Sequence, residues 1–247
     1  MHPILFYFHS VTFYSYGFFV ALAVFAVFWI ACSRAAAFGL TQGLVADLVF
    51  LLFTAGVIGA RLFFVLQHWD DYKGNFLKII LIQEGGLVWY GGFIAATVVG
   101  LVYARGKKWP VLKLCDFFAP ILPLAQAIGR LGCFFNGCCY GKITDASWGV
   151  VFSGDSVPRI PVQLVELAAL GSISAALFFL SRIKRPVGEL FVNYLILYSA
   201  ARFLVEFLRG DQELFFFLTL PQWTSFFLFI GGLTLLFLVE RKNPVKK

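Results

Sequence analysis

Residues 14–33 read YSYGFFVALAVFAVFWIACS and contain no charged side chain. A helix of about 20 apolar residues is long enough to cross the roughly 30 Å hydrocarbon layer of a bilayer. Six more apolar segments follow, at about 44–66, 87–104, 114–136, 160–181, 188–208 and 221–240. The sequence therefore predicts an all-α polytopic membrane protein with seven transmembrane helices, built as a single transmembrane domain over residues 1–247.

The composition favours the same class of protein. Hydrophobic residues make up 60% of the chain and charged residues 13%, against roughly 25% charged residues in an average soluble domain. The net charge is +7, but the basic residues lie in short clusters between apolar segments rather than along one soluble face. We therefore expect the membrane as partner and no nucleic acid.

Lys and Arg are shared unequally between the two sides of the predicted membrane. One side carries twelve of these residues and the other carries five. The larger set is Arg34, Arg105, Lys107, Lys108, Lys113, Arg182, Lys184, Arg185, Arg241, Lys242, Lys246 and Lys247, and the smaller set is Lys73, Lys78, Lys142, Arg159 and Arg209. The positive-inside rule predicts an outside N-terminus and a cytoplasmic C-terminus. The outer loops at about 67–86 and 137–159 are then candidates for an extracytoplasmic head.

Three arginines, Arg61, Arg130 and Arg202, lie inside apolar segments. A charge at a helix centre costs roughly 2.5–3.5 kcal/mol on insertion scales, so such residues usually face a polar cavity and have a function. Guanidinium groups match phosphate oxygens well, which favours a phospholipid head group as the ligand. Glu206 and Tyr198 share one helical face with Arg202. The structural alternative is an Arg202–Glu206 ion pair, with Arg61 extending to the membrane interface.

Two glycine-rich stretches interrupt the apolar pattern. The first, residues 128–141, reads IGRLGCFFNGCCYG, where the glycines allow sharp turns and close backbone approach beside Arg130. The second, residues 84–92, reads EGGLVWYGG and opens the third segment. Helix packing alone is a second explanation for the glycine pairs there.

These stretches resemble the motifs of the prolipoprotein diacylglyceryl transferase family of bacterial enzymes, over about four-fifths of the chain. The matching stretches are Tyr16-Gly17, Gly59-Ala60-Arg61, 84–87 with 90–92, Asp116-Phe117 with Ala119-Pro120, 129–132 with Asn136-Gly137 and Gly141, 161–166, and Tyr198 with 201–209. The last stretch follows the family run Y-x-x-x-R-x-x-x-E-x-x-R and is specific.

The resemblance implies a multi-pass protein of the bacterial inner membrane and a defined reaction. Phosphatidylglycerol would give its diacylglyceryl group to the lipobox cysteine of a preprolipoprotein, forming a thioether and releasing glycerol phosphate. Arg130 and Arg202 would stabilise the departing phosphate, and Glu206 would orient Arg202 or accept a proton. The implied substrate-binding residues are Tyr16, Arg61, Asn136, Gly141, Tyr198 and Arg209. No metal or other cofactor is expected.

The chain departs from the family pattern at positions that would meet the acceptor. Tyr90 stands in place of the His of the family's HGG motif, and a phenol with its usual pKa of about 10 is a poor base at neutral pH. Cys133 and Cys138 replace an Asn and a Glu, and Ile160 replaces the His before Pro161. Tyr90 is therefore a predicted catalytic residue whose side chain differs chemically from that of the family.

Three cysteines, Cys133, Cys138 and Cys139, admit several interpretations. In the first interpretation they are small buried apolar residues without a function. In the others they form a structural disulfide, act as a nucleophile or redox group, or bind a metal as soft ligands. Two other functions also stay open for the whole chain. One is a related lipid transferase with a different acceptor, and the other is a lipid- or anion-binding membrane protein without covalent chemistry.

Overall fold

The computed structural model describes residues 2–9, 11–81, 85–210 and 212–242. The helices are α1 (Ser15–Arg34), α2 (Gln42–Gln67), α3 (Trp69–Tyr72), α4 (Trp89–Gly106), α5 (Val111–Phe118), α6 (Ile121–Asn136), α7 (Val162–Leu180), α8 (Glu189–Glu206) and α9 (Leu220–Lys242). Short 3-10 turns lie at Ala36–Phe38 and Phe76–Ile79. Six of the seven predicted apolar segments fall on one helix each, and the fourth falls on two, α5 and α6.

The fourth segment is divided, as its prolines predicted. α5 and α6 are bent by 43° across Ala119 and Pro120, and the Ser174 hydroxyl donates to the Pro120 carbonyl at 2.7 Å. This bond connects the break between α5 and α6 to α7. The bend therefore depends on α7 as well as on the proline.

Among the described residues, four helices have the length and hydropathy of membrane spans, namely α1, α2, α7 and residues Leu220–Val239 of α9. The bent α5 and α6 pair adds a fifth if it forms one broken span. α4 and α8 have 18 residues each, and α8 carries three charged side chains, which lower its hydropathy. The chain is thus a mostly helical, polytopic membrane protein with four to five candidate spans.

In the part of the chain that the structure describes, three antiparallel hairpins supplement the helices, and the all-α prediction omitted them. They pair β1 (Ile4–Phe8) with β2 (Val11–Tyr14), β3 (Val150–Val151) with β4 (Pro158–Arg159), and β5 (Leu214–Phe215) with β6 (Leu218–Thr219). Four of these six strands have only two residues. Such short pairings leave no measurable alternation in the sequence.

Contacts divide the chain into two compact units, Phe28–Leu114 and Met1–Val27 with Cys115–Lys247. In the first unit α2 packs on α4 through glycines. A Cβ on Gly59 would lie 2.6 Å from the Gly91 carbonyl oxygen, and one on Gly92 would lie 2.8 Å from the Gly56 carbonyl oxygen. The helix-packing explanation of the second glycine-rich stretch is therefore confirmed for this pair.

In the second unit α6, α7, α8 and α9 pack in chain order. A buried cluster joins α7 to α8, and it consists of Ala119, Ile173, Leu177, Leu190 and Tyr194. Asp116 accepts hydrogen bonds from the backbone N–H groups of Gly188 (2.5 Å) and Phe191 (2.9 Å). Asp116 thus satisfies the free N–H groups that begin α8.

Candidate active site

Two of the three arginines in the apolar segments, Arg130 and Arg202, lie close together in the second unit. Arg130 of α6 places its Nε 2.8 Å from Oε2 of Glu166 on α7. Arg202 of α8 places its Nη1 3.5 Å from Oε1 of the same carboxylate and 2.7 Å from Oε2 of Glu206. Glu166 therefore bridges the two guanidiniums, and the predicted proximity of Arg202 and Glu206 is confirmed. We call these four residues the Arg–Glu network.

The carboxylates of the Arg–Glu network are more deeply buried than its guanidiniums. Glu166 and Glu206 are 5% and 3% exposed, whereas the side chains of Arg130 and Arg202 are 27% and 18% exposed. The buried carboxylates pair with the positively charged arginines inside the protein. The two arginine side chains keep part of their surface accessible to a ligand.

The contacts in this network are close without being well-directed hydrogen bonds. Oε2 of Glu166, Oε2 of Glu206 and Nη1 of Arg202 are buried, and none of the three has an aligned hydrogen-bond partner among the described residues. Attraction between opposite charges therefore holds the network together. The oxygens of a phosphate group can accept well-directed hydrogen bonds from arginine N–H groups, and Nη1 of Arg202 lacks such an acceptor.

The second oxygen of Glu206 is held by the beginning of α9. The Thr219 hydroxyl donates to Oε1 of Glu206 at 3.0 Å. The backbone N–H of Thr219 donates to Oε1 of Gln222, and the N–H of Gln222 donates to the Thr219 hydroxyl, at 3.0 and 3.3 Å. This is a reciprocal helix cap of the Thr-x-x-Gln kind, a signal present in the sequence that our sequence analysis missed.

Gly141 and Arg209 lie opposite each other where the chain after α6 crosses the chain after α8. They form an antiparallel bridge, and Gly141 N–H donates to the Ile160 carbonyl at 2.8 Å. A Cβ on Gly141 would lie 2.5 Å from both the Leu208 carbonyl oxygen and Cγ2 of Val162. Gly141 thus allows a close backbone approach that places Arg209 beside this crossing.

The other predicted binding residues of this unit lie around α6 and α8. Asn136 is the exposed last residue of α6. Tyr16 is 46% exposed, and its Cδ2 would lie 3.3 Å from a Cβ on Gly132. Tyr198 packs against the α7 and α8 core, with its ring 5.7 Å from that of Tyr194.

Arg61 and Tyr90 belong to the first unit. The Arg61 side chain is buried, and its guanidinium donates to five carbonyls in the loop before α4. The acceptors are Lys78 (2.6 Å), Ile79 (2.9 Å), Leu81 (3.3 Å), Gly85 (2.5 Å) and Gly86 (3.1 Å). An arginine has five N–H donors, so these bonds use all of them.

Tyr90 lies in the first turn of α4 and is 67% exposed. Its ring meets that of Trp89 edge-on, with centroids 5.3 Å apart. Glu84, which begins the same family motif, lies outside the described residues. The catalytic role of Tyr90 stays a prediction.

Glu166 and Gln163 are the site residues whose position the sequence did not predict. The sequence analysis gave neither residue a role. Gln163 is fully buried and donates from Nε2 to the Cys138 carbonyl at 2.7 Å. Both residues lie in the stretch Pro161-Val162-Gln163-Leu164-Val165-Glu166, so the motif itself was the available signal.

The cysteines after Arg130 are free thiols. Sγ atoms of Cys133, Cys138 and Cys139 lie within 4.8 Å of one another. Hydrogen bonds from the other two thiols, together with the charges of Arg209 and Arg130, lower the pKa of Cys139. This group offers three soft ligands, and the described residues place no carboxylate or imidazole in it.

Comparison with known proteins relates the chain to one family. Residues 3–238 match the family described as prolipoprotein diacylglyceryl transferase. The phosphatidylglycerol–prolipoprotein diacylglyceryl transferase of Geobacter sulfurreducens is 36% identical over 98% of this chain and 96% of its own length. The enzyme of the same name from Bordetella avium is 38% identical over 80% of this chain and 78% of its own, and a second such enzyme of Clostridium perfringens is 31% identical over 90% and 89%. The chain belongs to the prolipoprotein diacylglyceryl transferase family.

Proposed function

We propose that the protein transfers the diacylglyceryl group of phosphatidylglycerol to the lipobox cysteine of a preprolipoprotein. A thioether forms and glycerol phosphate leaves. The observation that carries this proposal is the Arg–Glu network, in which two buried carboxylates pair with two partly exposed arginine side chains at positions of the family motifs. The names of the relatives support the same substrates.

The network is suited to the leaving group of this reaction. The cysteine sulfur attacks the glyceryl carbon, the C–S bond forms, and the electrons of the breaking C–O bond pass to the phosphate oxygen. Negative charge grows on that phosphate as the bond breaks. Arg130 and Arg202 stabilise this charge because they are already oriented by Glu166.

The thiol proton must leave before or during the attack, because the thiolate is the nucleophile. Glu206 is engaged by Arg202 and by the Thr219 hydroxyl, which favours its orienting role over that of a base. Tyr90 stands where the family has His, and we keep it as a candidate catalytic residue for the thiol step. No step in this scheme calls for a metal or cofactor.

The arrangement around the network gives the remaining residues their roles. Arg209 adds a positive charge next to Gly141, and Tyr16, Asn136 and Tyr198 are assigned to lipid binding. Arg61 has no donor left for a phosphate, because the loop carbonyls use all five. We therefore assign Arg61 to positioning the loop before α4.

We infer seven crossings for the membrane arrangement, with α4, α8 and the bent α5 and α6 pair added to the four long apolar helices. The whole chain then forms one transmembrane domain in the bacterial inner membrane. The distribution of Lys and Arg supports an outside N-terminus and a cytoplasmic C-terminus. The loops at about 67–86 and 137–159 then face outward, where preprolipoproteins are presented.

The test is incubation of purified protein with labelled phosphatidylglycerol and a lipobox peptide, followed by mass spectrometry of the peptide. We expect a diacylglyceryl mass increase on cysteine and none on a peptide with serine there. Release of glycerol phosphate without peptide modification indicates a different acceptor, and intact lipid refutes catalysis.

Arg130→Gln tests the phosphate role against a matched control, Arg185→Gln. The Arg185 side chain is also 27% exposed and is also paired with a buried carboxylate, that of Glu189. We expect Arg130→Gln to lower transfer at least about hundredfold and Arg185→Gln to leave it near normal. Equal rates in the two variants contradict the phosphate role of Arg130.

A further inference from the structure

Three thiols meet at the end of α6. Sγ atoms of Cys133, Cys138 and Cys139 lie within 4.8 Å of one another, and all three residues are half-buried. Two ligand atoms on one ion at a metal–sulfur distance of about 2.3 Å are at most about 4.6 Å apart. Small side-chain rotations therefore bring all three sulfurs onto one ion. We call these residues the thiol cluster.

The backbone adopts left-handed conformations at two residues of the turn that forms this cluster. α6 ends at Asn136, and Gly137 turns the chain with φ +75. Cys139 has φ +64, a left-handed conformation that costs a residue with a Cβ roughly 1–2 kcal/mol. Strained residues of this kind are concentrated at functional sites. Here the strain accompanies the convergence of Cys139 with the other two thiols.

Two arginines act electrostatically on the thiol cluster. Arg130 lies one turn before Cys133 on α6, and its charge acts on Cys133 and Cys139. Arg209 acts on Cys139 as well. Positive charges near thiols stabilise thiolates, which are the form that binds metal.

The composition of the cluster selects the kind of ion. Structural zinc sites use four protein ligands, and no carboxylate or imidazole joins the three sulfurs among the described residues. Thiolates are soft ligands and prefer soft ions such as Cu(I). Cu(I) is satisfied by three thiolates, so no fourth ligand is needed.

We propose that Cys133, Cys138 and Cys139 bind one Cu(I) ion through their three sulfurs. Each S–H bond breaks and gives its proton to the solvent, three Cu–S bonds form, and the copper keeps its oxidation state. The thiol cluster lies next to Arg130 of the Arg–Glu network, but the existence of the copper site does not depend on the proposed transfer reaction.

The experiment is an anaerobic titration of the reduced full-length protein in detergent with Cu(I), in competition with a coloured Cu(I) chelator. We expect one tightly bound Cu(I) per chain, with three sulfur neighbours by X-ray absorption. Cys133→Ser is expected to weaken binding at least about hundredfold. A variant with both Cys32→Ser and Cys115→Ser is the matched control, because these are the two other cysteines of the chain, and its binding should stay unchanged.

Several results overturn the proposal. They are an absence of tight Cu(I) binding by the wild-type protein, equal binding by Cys133→Ser, and loss of binding in the Cys32 and Cys115 control. A Cys133–Cys138 or Cys133–Cys139 disulfide that persists in protein isolated without reductant, detected by alkylation and mass spectrometry, also overturns it. If Cys133→Ser does not fold, Cys138→Ser and Cys139→Ser test the same prediction.

Discussion

Substitution of Glu166 by Gln removes the charge that the two guanidiniums share. The carboxylate lies 2.8 Å from Nε of Arg130 and 3.5 Å from Nη1 of Arg202, and the residue is 5% exposed. Gln keeps the shape of the side chain but carries no charge. Glu166→Gln therefore isolates the electrostatic role of Glu166 from its packing.

The size of the effect follows from the burial of the three side chains. Removing one partner of a buried ion pair costs about 3–5 kcal/mol. The side chains of Arg130 and Arg202 are 27% and 18% exposed, so water partly compensates, and we expect about 3 kcal/mol. Native proteins are stable by roughly 5–15 kcal/mol, so the variant should still fold.

The effect on transfer should be larger than the effect on stability alone explains. Without Glu166 the two guanidiniums repel each other and lose the group that orients both. Losing one oriented donor costs about 10²–10³-fold in rate. We expect Glu166→Gln to lower peptide modification at least about hundredfold at saturating lipid.

Glu189→Gln is the matched control. Glu189 is also 5% exposed and is paired with an arginine, Arg185, at the other end of α8. Transfer is measured by mass spectrometry and stability by thermal unfolding in the same detergent. The reasoning is refuted if Glu166→Gln keeps more than about a tenth of wild-type transfer, or if both variants lose transfer equally at equal stability.

Three further predictions concern single contacts. Thr219→Val removes the hydroxyl that donates to Glu206 and should lower the free energy of unfolding by about 1–3 kcal/mol. Thr224→Val, at an exposed threonine, is the control, and equal free energies of unfolding in the two variants would contradict the contact. Arg61→Lys offers three donors to carbonyls that receive five, so the melting temperature should fall, and an unchanged one removes its positioning role. Tyr90→Phe should abolish transfer without changing thermal unfolding, and unchanged turnover removes the phenol from the mechanism.

The helices were the predictable part of the fold. Each of the seven apolar segments falls on one helix or, for the fourth, on two, because a continuous apolar run of this length has few other stable structures. The break before Pro123 was also visible as a pair of prolines. The hairpins were not predictable, because strands such as Val150–Val151 are too short to carry a pattern.

The site was predictable only within a single helix. Arg202 and Glu206 are four residues apart, so helical geometry places them together. Arg130 and Glu166 come from different helices, and no spacing rule joins residues across a packing interface. The saturation of Arg61 by loop carbonyls was hidden for the same reason, although the sequence did single the residue out.

The pairing across helices also explains how arginines persist in apolar segments. A lone guanidinium in the hydrocarbon costs roughly 2.5–3.5 kcal/mol, but the Arg–Glu network contains two cations and two anions and is neutral as a whole. A neutral network would attract phosphate weakly. Arg209 pairs with Gly141, and its charge acts on Glu166, so a third arginine adds positive charge near the network. The carboxylates thus make burial of the arginines tolerable, while the added arginine leaves the site attractive to an anionic lipid.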